Sequence, residues 1–426
     1  MKHTSFNRKS QFLIALLVTA VVLITLALQT QERTHVFMTG AAVENITPET
    51  GSFIAGHTKN RRFTGIHDSL YVKAIVWTDT KNSTTLLTFD CIGLLYPALL
   101  EIRKEVAKRI PSPQYNPENI VISSTHTHSG TDVVGIWGAN ELSSGVDSAY
   151  MKKLVLAAAD AVEKAWKKKQ PSTVHYAENN FGNDWVYNIS DSTVLDRALT
   201  VLQFKDAQGN SIATLTNFAC HPTIMDGANN QVSADYVGGM YQYLDKIYGG
   251  TNFFLQGSIG GWVQPEYEPK NFETAGKRGL QLGMAVENAL KKQQKIDTPS
   301  VTFKSNSLKL PVSNKGFKLL AAAGVIKRSI TDSVTTEMAW FTLGTAQFIT
   351  HPGESTPVHS LQSKQYLKTK GPKFVLGLSQ DALGYILTPD FFEPDSRLKH
   401  KEYLTSMSID KEAGNLIIKA VAEITQ

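Results

Sequence analysis

Cysteine is almost missing from this chain: Cys91 and Cys220 are the only two in 426 residues. One pair cannot build a disulfide framework, and the spacing fits no thiolate metal site. Each follows an apolar, strand-like run, so two buried small side chains are expected rather than a bridge. An excess of one charge sign is missing too, since 43 basic residues face 38 acidic ones and leave a net charge of +5. The lysine clusters "WKKKQ" (166–170) and "LKKQQK" (290–295) close predicted helices, where cations favour the negative end of the dipole. No basic stripe with interleaved aromatics is present, and no nucleic-acid partner is expected. Internal repeats and long linkers are absent as well. With 42% hydrophobic residues the chain can bury a sizeable core.

Charge vanishes altogether from one stretch. Lys2, Arg8 and Lys9 precede "FLIALLVTAVVLITLAL" (12–28), which lies at the lower edge of a membrane span and exceeds a typical signal core. The following "LALQTQERT" offers no small-x-small cleavage site. Residues 1–32 therefore read as a cytoplasmic tail plus an N-terminal membrane anchor or signal segment, with retention favoured over cleavage and secretion. Residues 38–426 would form the exported domain, attached to the membrane through that segment.

After residue 40, short runs rich in Val, Ile, Thr and aromatics alternate with longer runs of helical periodicity. Strands are expected at 70–79, 83–95, 119–126, 198–206, 211–221, 252–258 and 339–351, and helices at 97–110, 149–169, 236–249, 274–294 and 410–424. The alternation predicts an α/β fold: a mixed β-sheet with helices packed on both faces, in a single large domain.

Four of the apolar runs finish on titratable groups, where loops of such a sheet converge. They end on Asp90, on His126 and His128 of "ISSTHTHSGTD" (122–132), on His221 of "NFACHP", and on His351 and Glu354 of "ITHPGES". An extended H-x-H sets both imidazoles on one side of the backbone, roughly 7 Å apart, which suits one as a metal ligand and its neighbour for hydrogen bonding or catalysis. Spacing leaves open which is which. Two histidines and a glutamate in three separate turns match a catalytic zinc site with an open position.

Taken in order, "VISSTHTHSG", "NFACHPTIM" with "VSADYVGGM", "FFLQGSIGG", "HPGEST" and "GYILTPDFF" resemble the catalytic domain of the neutral or alkaline non-lysosomal ceramidases. The similarity runs from "AAVENITP" (41–48) to the C-terminus. The resemblance implies zinc dependence and hydrolysis of a ceramide-like amide to a sphingoid base and a fatty acid. It assigns His126, His221, Glu354 and Tyr385 as zinc ligands, and His128 as the group that assists the substrate carbonyl. Gln264 of "GWVQPE" stands where the family carries a serine at the reaction centre, and Ile189 of "YNIS" where it carries an arginine. Glutamine is no nucleophile, so metal-activated water would have to attack.

Trp262 and Gln264 are the candidate substrate-binding residues, and Trp137 could line the same channel or simply pack. Ser258 reads as a turn serine, because Gln256 stands where a nucleophile elbow needs glycine. Asp235 and Asp90 could orient His126 or His221, or cap the helices that follow. His57, His67, His351 and His359 read as structural. Two functions follow: an exported zinc hydrolase acting on an amide or ester of a lipid-like or otherwise apolar substrate, or a catalytically silent relative that binds a ligand or partner.

Overall fold

Three β-α-β units account for the architecture. In each, an apolar strand is followed by a crossover helix and then by a second strand parallel to the first. The strands Ser83–Phe89 and Ile120–Ser124 flank the helix Tyr96–Arg109. Ser211–Phe218 and Thr251–Gln256 flank Tyr236–Ile247. Ala346–Thr350 and Lys373–Leu376 flank Pro357–Tyr366. The computed structural model describes residues 36–426 apart from 80 and 267. The expected tail and anchor at 1–32 thus lie outside the described residues. Among the described residues no helix is long and apolar enough to cross a membrane.

Each parallel pair forms one edge of a larger sheet completed by antiparallel strands. Among the described residues two of these larger sheets have five strands and one has four, beside three two-stranded ladders. The mixed α/β class holds, and what reads in sequence as one sheet with helices on both faces is three sheets, each with helices on its outer face. Alternation within the strands explains this. Val72, Ala74 and Val76 join Leu87, Ile120 and Ile122 under the helices Tyr96–Arg109 and Ser148–Lys168, while Ile75, Trp77, Leu86 and Val121 point the other way. That second face meets Leu202, Phe204, Leu215 and Phe253 of the second sheet and Phe341, Phe348 and Phe374 of the third. Trp77 touches Phe204 at 5.8 Å and Phe341 at 6.2 Å between ring centroids, and Phe341, Phe348 and Phe374 continue as a stack. Strands buried on both faces cannot show polar alternation, which is why they read as near-continuous apolar runs.

Strand limits shift where chemistry intervenes. The expected strand 83–95 stops at Phe89, and the expected strand 339–351 is a hairpin of Ser333–Leu343 and Ala346–Thr350 turning at Gly344, φ +56°. The strand Val301–Pro311 has no counterpart in the expected set, because most of its side chains are exposed and its sequence "VTFKSNSLKLP" is polar.

One buried ion pair ties the first unit to the third sheet. Arg103 donates to both carboxylate oxygens of Glu337, at 2.8 and 2.7 Å, and to the carbonyls of Glu118 and Ile120. Gln380 donates to the same carboxylate and accepts from the Ile122 amide. Removing one partner strands the other charge in the interior. Glu337→Gln is expected to lower the unfolding free energy by about 3–5 kcal/mol in urea titration, and the double change Arg103→Met with Glu337→Leu to recover most of it. Equal losses in the single and double variants would contradict this account of the pair.

Candidate metal centre

The carboxyl ends of the three parallel pairs open onto one cavity of about 750 Å³. His126 comes from the turn after Ile120–Ser124, His221 from the turn after Ser211–Phe218, Glu354 from the turn after Ala346–Thr350, and Tyr385 from a short strand beyond Lys373–Leu376. All seven site residues expected from sequence, these four with His128, Trp262 and Gln264, line this cavity.

The H-x-H segment departs from the extended geometry expected of it. The strand ends at Ser124, and His126 adopts a left-handed backbone, φ +69°, with its amide donating to the Cys91 carbonyl at 2.9 Å. The two imidazoles consequently stand 4.8 Å apart between centroids, nearly perpendicular at 82°, rather than about 7 Å apart on one strand face. A left-handed conformation is strained for a residue with a Cβ. Trp262, Leu378 and His400 share it and also line the cavity, so backbone strain gathers at this end of the fold.

Main-chain carbonyls aim the rings. His126 Nδ1 lies 2.5 Å from the Ile92 carbonyl oxygen and His221 Nδ1 lies 2.7 Å from that of Val263. Each Nδ1–H donates, leaving both Nε2 lone pairs to face inward. Glu354 closes the group, with Oε1 3.6 Å from His126 Nε2 and Oε2 3.2 Å from His221 Nε2. Glu354 and Tyr385 are direct partners in a two-residue parallel ladder. The Tyr385 hydroxyl accepts from Trp262 Nε1 at 2.6 Å and bonds Glu354. The ligand atoms of His126, His128 and His221 lie within 4.8 Å of one another, a group that can hold a metal ion. His128 is half-buried, and neither of its two buried ring nitrogens has a hydrogen-bond partner.

Burial pulls His126 down to about 4 against the opposing pull of Glu354, and pushes His128 well below the ordinary imidazole value. Burial alone would raise Glu354, but His126, His221 and Tyr385 outweigh it and hold it below the usual glutamate value. Burial likewise drives Tyr385 well above its ordinary value. At neutral pH an ionised Glu354 therefore sits beside neutral His126 and His128 rings, which are the protonation states metal ligation requires. A buried anion without a counter-charge is costly, and a divalent cation supplies that charge. The residues present fit zinc.

The aspartates resolve differently. Asp235 caps the helix Tyr236–Ile247 and accepts from the Met225 amide. Asp90 accepts from the Tyr71 amide and from Tyr241. Carbonyls take the orienting role that these carboxylates might have filled. Ser258 bonds Ser355 at 2.8 Å inside the protein, as a structural serine should. His351 is held between Ser355 and Ser363, and His359 bonds Thr356. Cys91 and Cys220 are both free and buried. Ile189 and Trp137 line the cavity, and Trp137 donates to the His57 carbonyl.

Sequence reasoning read His57 as structural and missed His400 and Tyr403, all three of which line the cavity. His57 reaches the cavity because Gly56, at φ +95°, lets its loop cross the His128 ring, which a Cβ there would approach to 2.4 Å. His400 and Tyr403 pack on Trp262 at 4.7 and 5.3 Å. The glycine of "GHT" was the one legible hint for the first, and the other two carried none.

Gln256 couples the two histidine turns. Its Nε2 donates to the carbonyls of Thr125 and Cys220 at 3.0 and 2.9 Å, and its Oε1 accepts from the amides of Cys220 and Gly257. Gln256→Met preserves volume and removes all four bonds. It is expected to lower the unfolding free energy by about 2–4 kcal/mol, read from the urea midpoint. An unchanged midpoint would mean that the turns hold their register without this side chain.

A sequence profile described as neutral/alkaline non-lysosomal ceramidase, N-terminal, matches residues 37–252. The chain is 23% identical over 224 residues to neutral ceramidase A of Dictyostelium discoideum, spanning 47% of this chain and 31% of that protein. It is 28% identical over 196 residues to neutral ceramidase B of the same organism, spanning 41% and 26%. With the neutral ceramidase of Pseudomonas aeruginosa it shares 23% over 188 residues, spanning 41% and 28%. The chain thus matches less than a third of the length of these relatives. The crystal structure of the Pseudomonas aeruginosa neutral ceramidase superposes with a TM-score of 0.74 at 16% identity, covering 91% of this chain and 74% of that one, which is a likeness of fold.

Proposed function

Since the chain belongs to the neutral/alkaline non-lysosomal ceramidase family, we propose that it is a zinc-dependent hydrolase cleaving the amide, or ester, of a lipid-like, ceramide-related substrate. The observation that carries this reading is the convergence of His126, His221 and Glu354 beside an unpartnered His128, at the foot of one cavity. The reading places the domain outside the cytoplasm on the strength of the 12–28 run.

His126 Nε2, His221 Nε2 and Glu354 would hold the ion, with the Tyr385 oxygen as a fourth ligand. Zinc supplies Lewis acidity toward a carbonyl oxygen and toward water. The remaining chemistry belongs to the chain. His128, kept neutral by burial, can donate a ring N–H to the substrate carbonyl oxygen and hold the charge that develops there. Trp262 keeps the Tyr385 oxygen in place through its indole N–H. Ile92, Val134, Ile136, Phe317 and Met407 give the cavity an apolar wall able to take an acyl chain and exclude water. Gln264 brings an amide where an attacking serine would stand, so the nucleophile is water, and Glu354 is the nearby carboxylate able to accept a proton.

A second reading, a silent relative that binds without cleaving, draws on the same Gln264. The experiment is metal analysis of the purified chain followed by turnover of a short-chain fluorescent ceramide and of simple N-acyl and ester substrates. Bound zinc with turnover is expected, whereas bound zinc with no turnover of any of them selects the silent relative. His221→Ala is expected to strip the metal. His128→Ala should keep it and lose about 10²–10³ in kcat. Equal metal loss in both variants would show that His128 is a ligand. Gln264→Ser is expected to raise ceramide turnover if a hydroxyl at that position suffices for attack.

A further inference from the structure

Two of the rings that line the cavity carry buried nitrogens without partners: His128 at both positions, and His57 at Nε2. The hydrolase reading gives His128 a task and leaves His57 without one. Yet the second ring is firmly held. Trp137 donates its indole N–H to the His57 carbonyl at 2.9 Å. A Cβ at Gly227 would stand 3.7 Å from His57 Cγ and 3.9 Å from Nδ1, so that edge of the ring lies against the 226–229 loop and Nε2 is the corner turned away from it. Gly56, at φ +95°, lets the segment approach His128 until the two ring centroids are 5.0 Å apart, with planes at 62°. An unpaired buried nitrogen is costly, and one kept on a cavity wall has its use when the cavity is filled.

Amide geometry indicates that use. The carbonyl oxygen and the nitrogen of an amide are about 2.3 Å apart, so two groups that hydrogen-bond to one each stand within about 8 Å of one another. His57 and His128 meet this condition, and with the oxygen on His128 the nitrogen falls beside His57. That nitrogen needs a proton before it can leave, because its anion is too basic to depart. Other groups of the cavity are committed elsewhere. Glu354 turns its two oxygens to His126 and His221, Tyr385 accepts from Trp262, and Lys270 pairs with Asp226 and Glu268. Burial holds His57 below the ordinary imidazole value, so the ring rests neutral at neutral pH and, once protonated, gives its proton up readily.

From this we infer that His57 is a catalytic residue, whose Nε2 carries a proton to the leaving nitrogen. The inference rests on the hydrolase reading. Water adds with its oxygen bonding to the acyl carbon and one of its protons going to Glu354. The hydroxyl left on that carbon is as near the nitrogen as the carbonyl oxygen was, within reach of the same ring atom. Nε2 takes the hydroxyl proton and hands it to the nitrogen as the C–N bond breaks with its electron pair on nitrogen. A carboxylate and an amine leave, and Glu354 returns its proton to solvent.

The test sets a short-chain fluorescent ceramide against 4-nitrophenyl octanoate on the zinc-loaded full chain, because nitrophenolate departs without a proton and an amine does not. His57→Gln keeps an acceptor but cannot relay a proton. It should lower kcat for the amide by at least about 10²-fold and leave the ester little changed, the retained ester turnover showing that the variant folds. Equal losses on both substrates, or amide turnover that survives, overturn the relay. Binding gives a second readout on the metal-free chain: by calorimetry N-methyloctanamide should bind more tightly than N,N-dimethyloctanamide, which has no N–H for Nε2, and His57→Phe should erase the difference. No difference, or one that survives His57→Phe, overturns the placement of the nitrogen. Ester turnover by the unchanged chain without amide turnover overturns the relay and leaves a hydrolase; turnover of neither overturns both, even where the binding difference holds.

Discussion

At the centre of this protein an ionised glutamate lies beside three histidine rings, of which burial keeps His126 and His128 neutral. The carboxylate of Glu354 is held within 3.2–3.6 Å of the His221 and His126 ring nitrogens, and burial keeps the His126 ring neutral at neutral pH. Much of the surrounding structure preserves that imbalance. Main-chain carbonyls rather than acids occupy the outer nitrogens of the rings, so the orienting bonds bring no second carboxylate to bind protons in place of a metal. Gln256, equally uncharged, locks the turns that deliver them.

The fold makes this arrangement possible by repetition. Three crossovers of the same kind leave three sets of turns at the same ends of their strands, and the aromatic stack through Trp77, Phe341 and Phe348 binds the sheets into one core. Residues remote in sequence meet because each is carried at an equivalent place in its own unit. Strain marks the meeting point, with His126 and Trp262 held at positive φ where a relaxed turn would aim the side chains elsewhere.

Much of this was legible in the sequence. Apolar runs ending on His126, His221 and Glu354 located the strand ends, and these three residues do face one another. The division into three sheets was not legible, because strands buried on both faces have no alternation to say which neighbour covers which side. The angle between His126 and His128 was missed for a different reason: period-2 reasoning assumes an extended chain, and the chain turns left-handed there. His57 read as structural because its place at the cavity depends on a loop crossing over another ring, a tertiary event that leaves only one glycine as a trace. Asp90 and Asp235 drew attention as acids near histidines, yet both serve the backbone.

The pairing of Glu354 with Tyr385 bears on how such a protein can change its habits. Their Cα positions face each other across a two-residue parallel ladder, so the distance between them is fixed by interstrand spacing, about 4.8 Å, whatever the rest of the wall contains. Lineages can therefore exchange Ile189, Gln264 or Phe317 and explore new substrates while the reactive core stays in register, which separates the inheritance of chemistry from the inheritance of taste.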